Sequence, residues 1–203
     1  GASATMNALE LGAIDFIAKP SGEISLGLDK LKEEILHKIK SASEVDLQKH
    51  LAACRPGRRA DAGGGVPALK KLVIVGASTG GPKAVMEIMQ KFPHDLPAAF
   101  LIVQHMPKGF TLSFAERISW QSGLKAKEAE EGDQLFAGKV FVAPAGYHLT
   151  IEKEDERYRL RLNQDPLVNF VRPSIDVTMF SAAELFGHNT IGNAALGIQM
   201  ANS

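Results

Sequence analysis

The stretch LVIVGASTGGPKAV, residues 72–85, decides the fold of this chain. Leu72 to Val75 is a short apolar run and reads as a buried strand. Small residues follow at Gly76, Ala77, Gly80 and Gly81, and Pro82 stands where the first turn of a helix tolerates a missing N–H. Gly80-Gly81-Pro82 therefore opens a helix, which runs to about Gln90, and Ala98 to Val103 forms a second apolar strand. Strand, helix and strand at this spacing make a βαβ unit and hence a parallel pair.

Ser78 falls where the chain turns at the carboxyl edge of that pair, the edge at which open α/β sheets hold their ligands. The small residues around it let a carbonyl group approach the backbone, and the Thr79 amide, at the helix N-terminus, points toward developing negative charge. A serine hydroxyl needs a base within hydrogen-bond reach. His105 follows the second strand, and adjacent parallel strands about 4.8 Å apart bring their carboxyl ends to one crevice. Ser78, the Thr79 amide and His105 are thus candidates for nucleophile, oxyanion donor and general base. A plain tight turn is the unremarkable alternative.

A phosphate-cradling turn is the chemical rival, because a strand, glycines and a helix N-terminus also suit a nucleotide. GASTGG, residues 76–81, is neither GxGxxG nor GxxxxGK[ST], and the second strand ends in Gln104-His105 where a ribose-binding carboxylate would be expected. Farther on, Lys139 to Ala143, with Tyr147 to Glu152 and Arg157 to Leu162 joined through Lys153-Glu154-Asp155-Glu156, reads as antiparallel strands around a charged turn. The expectation is a three-layer, doubly wound α/β fold, mostly parallel, with a β-hairpin insertion.

Upstream, GASATMNALELGAIDFIAKPSG, residues 1–22, reads as a helix end, a turn at Gly12 and a strand from Ala13 to Ala18. Apolar residues at Ile24, Leu28, Leu31, Ile35 and Ile39 recur at helical spacing, so residues ~24–41 form an amphipathic helix. Helix, strand and helix alone bury too little to make a core. Residues 42–68, with Arg55-Pro56-Gly57-Arg58-Arg59 and Gly63-Gly64-Gly65, have the composition of a linker. Three regions result: 1–41, 42–68 and 69–203.

Of the 203 residues, 45% are hydrophobic and 23% charged, which is ordinary globular composition. The 23 Lys and Arg balance the 23 Asp and Glu, so net charge offers no case for a nucleic-acid partner. Cys54 is the single cysteine, no signal segment opens the chain, and no run approaches 18 apolar residues, which points to a cytoplasmic protein without membrane insertion.

Four blocks carry a resemblance: LVIVGASTGGPKAV (72–85), LIVQHMPKGFTLSFAERI (101–118), KEAEEGDQLFAGKVFVAPAGYHL (127–149) and NFVRPSIDVTMFSAAELFG (169–187). In order and spacing they resemble the catalytic domain of the CheB family, chemotaxis protein-glutamate methylesterases. Residues 1–41 are similar to the tail of a response-regulator receiver domain, whose LxxGAxDFxxKP-like stretch carries a Lys that touches the phosphorylated Asp. Lys19 matches it.

The resemblance implies a serine hydrolase that removes methyl groups from glutamate methyl esters of methyl-accepting chemotaxis receptors and also deamidates receptor glutamines. Ser78 matches the family nucleophile and His105 its general base, with no metal or organic cofactor. A histidine kinase would be the phosphodonor for an intact receiver domain. Arg172, Ser174 and Asp176 fall in a family block without a declared role: one reading has Arg172 or Asp176 line the crevice, and an Arg172–Asp176 pair bracing a helix start is the plainer one. His94 and His148 read as structural or exposed, and His37 and His50 lie in the first helix region and the linker.

One departure stands out. The family's third triad member is an Asp in a GMGxDG stretch, and where that stretch is expected the chain reads Gly197 to Ser203, with no acidic residue after Glu184. The pattern implies a truncated catalytic domain, and the alternative to an esterase is a non-catalytic receptor-binding or regulatory fragment. Asp176 is the only nearby acid that could substitute.

Overall fold

The computed structural model describes residues 2–11, 13–18, 28–43 and 68–194. Helix α1 spans Ala2–Glu10 and helix α2 Leu28–Ser43. Then come β1 (Lys71–Ala77), α3 (Gly81–Met89), β2 (Ala98–Gln104), α4 (Thr111–Ser122), β3 (Lys125–Glu128) and β4 (Lys139–Val142). A hairpin of β5 (His148–Glu154) and β6 (Arg157–Asn163) precedes α5 (Ile175–Phe186) and β7 (Thr190–Ala194). Among the described residues, five strands form a parallel sheet in the order β3-β4-β2-β1-β7, and β5 and β6 pair antiparallel as a separate ribbon.

The sheet's alternation divides the core in two. On one face Val75, Ala77, Phe100, Ile102, Val140 and Val142 pack under α3, α4 and α1. On the other Leu72, Ile74, Leu101, Val103 and Phe141 meet the hairpin and α5. Because side chains point to alternate faces of a strand, the apolar runs of β1 and β2 are buried twice over, as parallel strands covered on both sides must be. Each fully buried Phe, Leu or Ile adds about 1.5–3 kcal/mol of hydrophobic stabilisation. This is the expected three-layer α/β architecture.

Helix α3 starts where the glycines and Pro82 predict. Gly80 takes φ 73°, a left-handed conformation that costs glycine little, and Pro82 occupies the first turn. The hairpin also forms as expected, with Glu154 opposite Arg157 and Asp155 at φ 53° in the turn. Two alternate positions anchor it to α5: the Thr178 hydroxyl donates to the Leu149 carbonyl at 2.7 Å, and Ser181 Oγ accepts from the Ile151 amide at 2.7 Å.

Three expectations need correction. Residues 139–143 do not join the hairpin, since β4 runs parallel beside β2 with Phe100 opposite Val140 and Leu101 opposite Phe141. That register matches apolar faces across both layers, and an antiparallel ribbon would satisfy only one. The run Ala13 to Ala18 is not a strand, because among the described residues no strand lies beside it to complete a ladder. Its chain instead winds out of α1, with the Ala13 amide donating to the Ala8 carbonyl at 2.9 Å, and Lys38 of α2 donates to Asp15 Oδ1 at 3.1 Å and to the Phe16 carbonyl at 2.6 Å. Helix α2 runs past the expected end at ~41 to Ser43, and residues 24–27 of the expected helix lie outside the described residues.

Candidate active site

Strands β1 and β2 run side by side with Ala77 opposite Gln104, so Ser78 and His105 are the first residues beyond a matched pair of strand ends. The ladder continues one step into the turn: the His105 amide donates to the Ala77 carbonyl at 3.0 Å. Ser78 is half-buried, and Thr79 is buried at 4% exposure between it and the αL residue Gly80. The Gly81 amide closes the turn on the Ser78 carbonyl at 2.9 Å.

The His105 ring is held in a dry corner. Nε2 is shielded from solvent and has no hydrogen-bond partner among the described residues. Burial pushes the imidazole pKa below its ordinary 6.5, opposed by a weaker hydrogen bond to the Pro173 backbone. With the Pro173 backbone beside the ring and Nε2 unengaged among the described residues, Nε2 is the nitrogen left open to accept a proton. A neutral imidazole with a free Nε2 is the form a general base requires.

Pro173 reaches His105 because α5 begins against β1. A Cβ added to Gly76 would lie 2.7 Å from both Cδ1 and Cγ2 of Ile175, so only glycine admits this approach. Residues 164–174 are fastened around it. The Ser174 amide donates to His148 Nδ1 at 3.1 Å, leaving Nε2 to donate to the Pro166 carbonyl at 3.1 Å, and Arg172 Nη1 donates to the carbonyls of Gln164 and Asp165 at 2.6 and 2.7 Å. The loops after β2 and β4 also touch, with Lys108 packed over Gly146.

His148, 1% exposed, is thus structural, and His94 packs against Gly123. The expected Arg172–Asp176 brace is replaced by separate partners: Arg172 serves the two backbone carbonyls, whereas Asp176 Oδ2 accepts from Asn169 Nδ2 at 2.9 Å. Carbonyls brought together by the 164–174 loop suit the planar guanidinium better than a carboxylate one helical turn away. His37 is exposed on α2, whereas Lys19, His50, Cys54 and the stretch from Gly197 to Ser203 lie outside the described residues. Two features escaped sequence reasoning, the Pro173 carbonyl and the Gln104 side chain. Gln104 carried a signal: a polar residue ending the fully buried strand AAFLIVQ must find partners. No group of three or more His, Cys, Asp or Glu among the described residues could hold a metal ion, and no helix there is long and apolar enough to cross a membrane.

Fold and site together define a parallel α/β protein with a serine-bearing turn at the carboxyl end of an interior strand and a histidine at the end of its neighbour. The chain belongs to the CheB methylesterase family, whose profile matches residues 73–195. It is 44% identical over 202 residues to the protein-glutamate methylesterase/protein-glutamine glutaminase of Pyrococcus horikoshii, covering 98% of this chain and 55% of that relative. The like-named protein of Escherichia coli K12 is 37% identical over 198 residues, covering 98% of this chain and 56% of its own. The crystal structure of the Thermotoga maritima CheB methylesterase catalytic domain superposes with a TM-score of 0.60 at 39% identity, covering 61% of this chain and 66% of that one. The chain spans about half the length of the curated relatives it matches.

Proposed function

We propose that this chain carries the nucleophile, general base and oxyanion donor of a protein-glutamate methylesterase, namely Ser78, His105 and the Thr79 amide. The observation that supports it best is the β1–β2 register, which sets Ser78 and His105 at adjoining strand ends while His105 Nε2 is buried and has no partner among the described residues. Ser78 Oγ attacks the acyl carbon of a glutamate methyl ester as His105 Nε2 takes the hydroxyl proton. Collapse of the tetrahedral intermediate breaks the bond to methoxide, which leaves as methanol with the proton from His105. Water, deprotonated by the same nitrogen, then hydrolyses the acyl-enzyme to a glutamate carboxylate and free Ser78. With a glutamine side chain the leaving group is ammonia, which accounts for a glutaminase activity at the same site.

The substrates in this reading are the cytoplasmic helices of methyl-accepting chemotaxis receptors, and the protein works in the cytoplasm. Residues 69–203 belong to the catalytic domain, 42–68 to a linker and 1–41 to the end of a receiver domain that a histidine kinase phosphorylates, with Lys19 as its switch lysine. The test is Ser78→Ala in the full-length protein. Methanol release from methylated receptor should fall to background with the circular dichroism spectrum unchanged, and a retained rate would assign the chemistry to another nucleophile.

A further inference from the structure

Gln104 ends β2 with its side chain turned to the α3 side of the sheet, where it is 1% exposed. Its Nε2 donates to the Ser78 carbonyl at 2.9 Å and to the His105 carbonyl at 3.0 Å. The two acceptors belong to the two residues that carry the proposed chemistry, and both lie beyond the point where the β1–β2 ladder ends. One primary amide thus adds a rung that the backbone cannot supply. The other end of the amide fits as closely: a Cβ added to Gly81 would stand 2.2 Å from Gln104 Oε1 and 2.6 Å from the Ala77 Cβ. Oε1 is buried and has no hydrogen-bond partner among the described residues. Burying an unpaired carbonyl oxygen is unfavourable, so an apolar side chain of the same length would fit the interior better if filling space were the only requirement. What the amide adds is a pair of donors aimed at two carbonyls.

We propose that Gln104 is a positioning residue that ties the serine turn to the histidine strand end and so sets the distance over which the proton passes. The proposal rests on the serine hydrolase reading above. Without the tie, the Ser78 carbonyl keeps only its turn bond from Gly81, and the His105 carbonyl loses its link to the other strand end. Misplacement of reacting groups by about 1 Å can cost about 100-fold in rate.

The experiment compares full-length wild type, Ser78→Ala and Gln104→Met, which keeps the side-chain length and removes both donors. The first readout is the rate of covalent labelling of Ser78 by a fluorophosphonate, located by peptide mass, and the second is kcat and KM for methanol release. Gln104→Met should fold with a melting temperature near that of wild type, label Ser78 about 10- to 100-fold more slowly, and lower kcat by a similar factor with KM within about twofold. Failure of wild type to label at Ser78 would sink the hydrolase reading and the proposal with it. Normal labelling of wild type with Gln104→Met within about twofold would overturn the proposal alone. If Gln104→Met does not fold, Gln104→Asn, which keeps the amide and withdraws it by one methylene, takes its place under the same criteria. Loss of the fold in both would overturn the proposal, since Gln104 would then support the domain as a whole.

Discussion

The ring of Phe16, in the segment after α1, lies on the ring of Phe110, with centroids 4.7 Å apart and planes at 30°. Phe110 closes the loop that begins at His105 and immediately precedes α4, so a residue from the N-terminal segment rests on the segment that follows the histidine. Lys38 of α2 holds the backbone at Phe16 from behind. Phe16→Ala should remove about 0.5–1.5 kcal/mol of ring–ring interaction in addition to lost burial. Amide exchange should quicken in residues 105–110 as well as in 13–18, as read by mass spectrometry. Faster exchange confined to 13–18 would mean that the His105 loop stands without this support.

The acid limb of activity follows from the buried imidazole. Burial lowers the His105 pKa and the Pro173 hydrogen bond only partly offsets it, so the neutral, base-competent form persists below the ordinary 6.5. The kcat/KM profile in the full-length protein should bend downward at a pH below 6.5, and a midpoint above 6.5 would contradict the dry environment described.

Stability carries the same signature with a defined sign. A histidine whose folded pKa is depressed binds fewer protons folded than unfolded, so its contribution is intact above 6.5 and is lost as pH falls from 6.5 through the folded value. His105→Gln cannot take up that proton. Its melting temperature should gain on wild type as pH falls from 7 to 5, and a constant difference across that range would show that His105 titrates as an ordinary exposed imidazole.

The contact between Gly76 and Ile175 lends itself to a double-mutant cycle. Gly76→Ala introduces a methyl group at 2.7 Å from two Ile175 carbons, an overpacking that should cost about 1–3 kcal/mol. Ile175→Ala alone loses buried apolar surface. The double variant should recover more than half of the Gly76→Ala loss relative to Ile175→Ala. Simple additivity in urea melts would place the strain elsewhere.

His148 gives a prediction away from the chemistry. His148→Leu leaves the Ser174 amide and the Pro166 carbonyl without their ring partners, at an expected cost of about 1–3 kcal/mol for each group that stays buried. Since residues 166–174 include Pro173, whose backbone lies beside the His105 ring, labelling of Ser78 should slow in proportion to the loosening of that loop. Unchanged stability in chemical denaturation would show that water serves both groups as well as the ring does.

The legible parts of the fold were those in which local chemistry and tertiary demand agree. Leu72 to Val75 followed by glycines and Pro82 can scarcely be anything except strand, turn and helix, and the position of Ser78 and His105 follows from parallel pairing alone. The four-residue strand β3, KAKE, carries no apolar pattern and exists only because β4 offers it an edge. The opposite failure occurred at Ala13 to Ala18, apolar enough for a strand yet without a strand to pair with among the described residues. The surroundings of His105 were hidden for a third reason: Pro173 is 68 positions away in sequence, and nothing local announces that Ile175 will seat itself on Gly76. Gln104 was visible as a misfit in an oily strand, but its partners depend on register.

Because β1 is flanked by β2 and β7 and buried on both faces, odd and even residues belong to different cores, with Val75 and Ala77 facing α3 and Leu72 and Ile74 facing α5. A slip of one residue against either neighbour would turn every side chain to the wrong layer. Gly76 would then leave the slot under Ile175 for a residue too large to enter it. The strand therefore behaves like a key cut on both edges: a chain that seats β1 at all seats Ser78 in one place only. Folding checks the alignment before any substrate does.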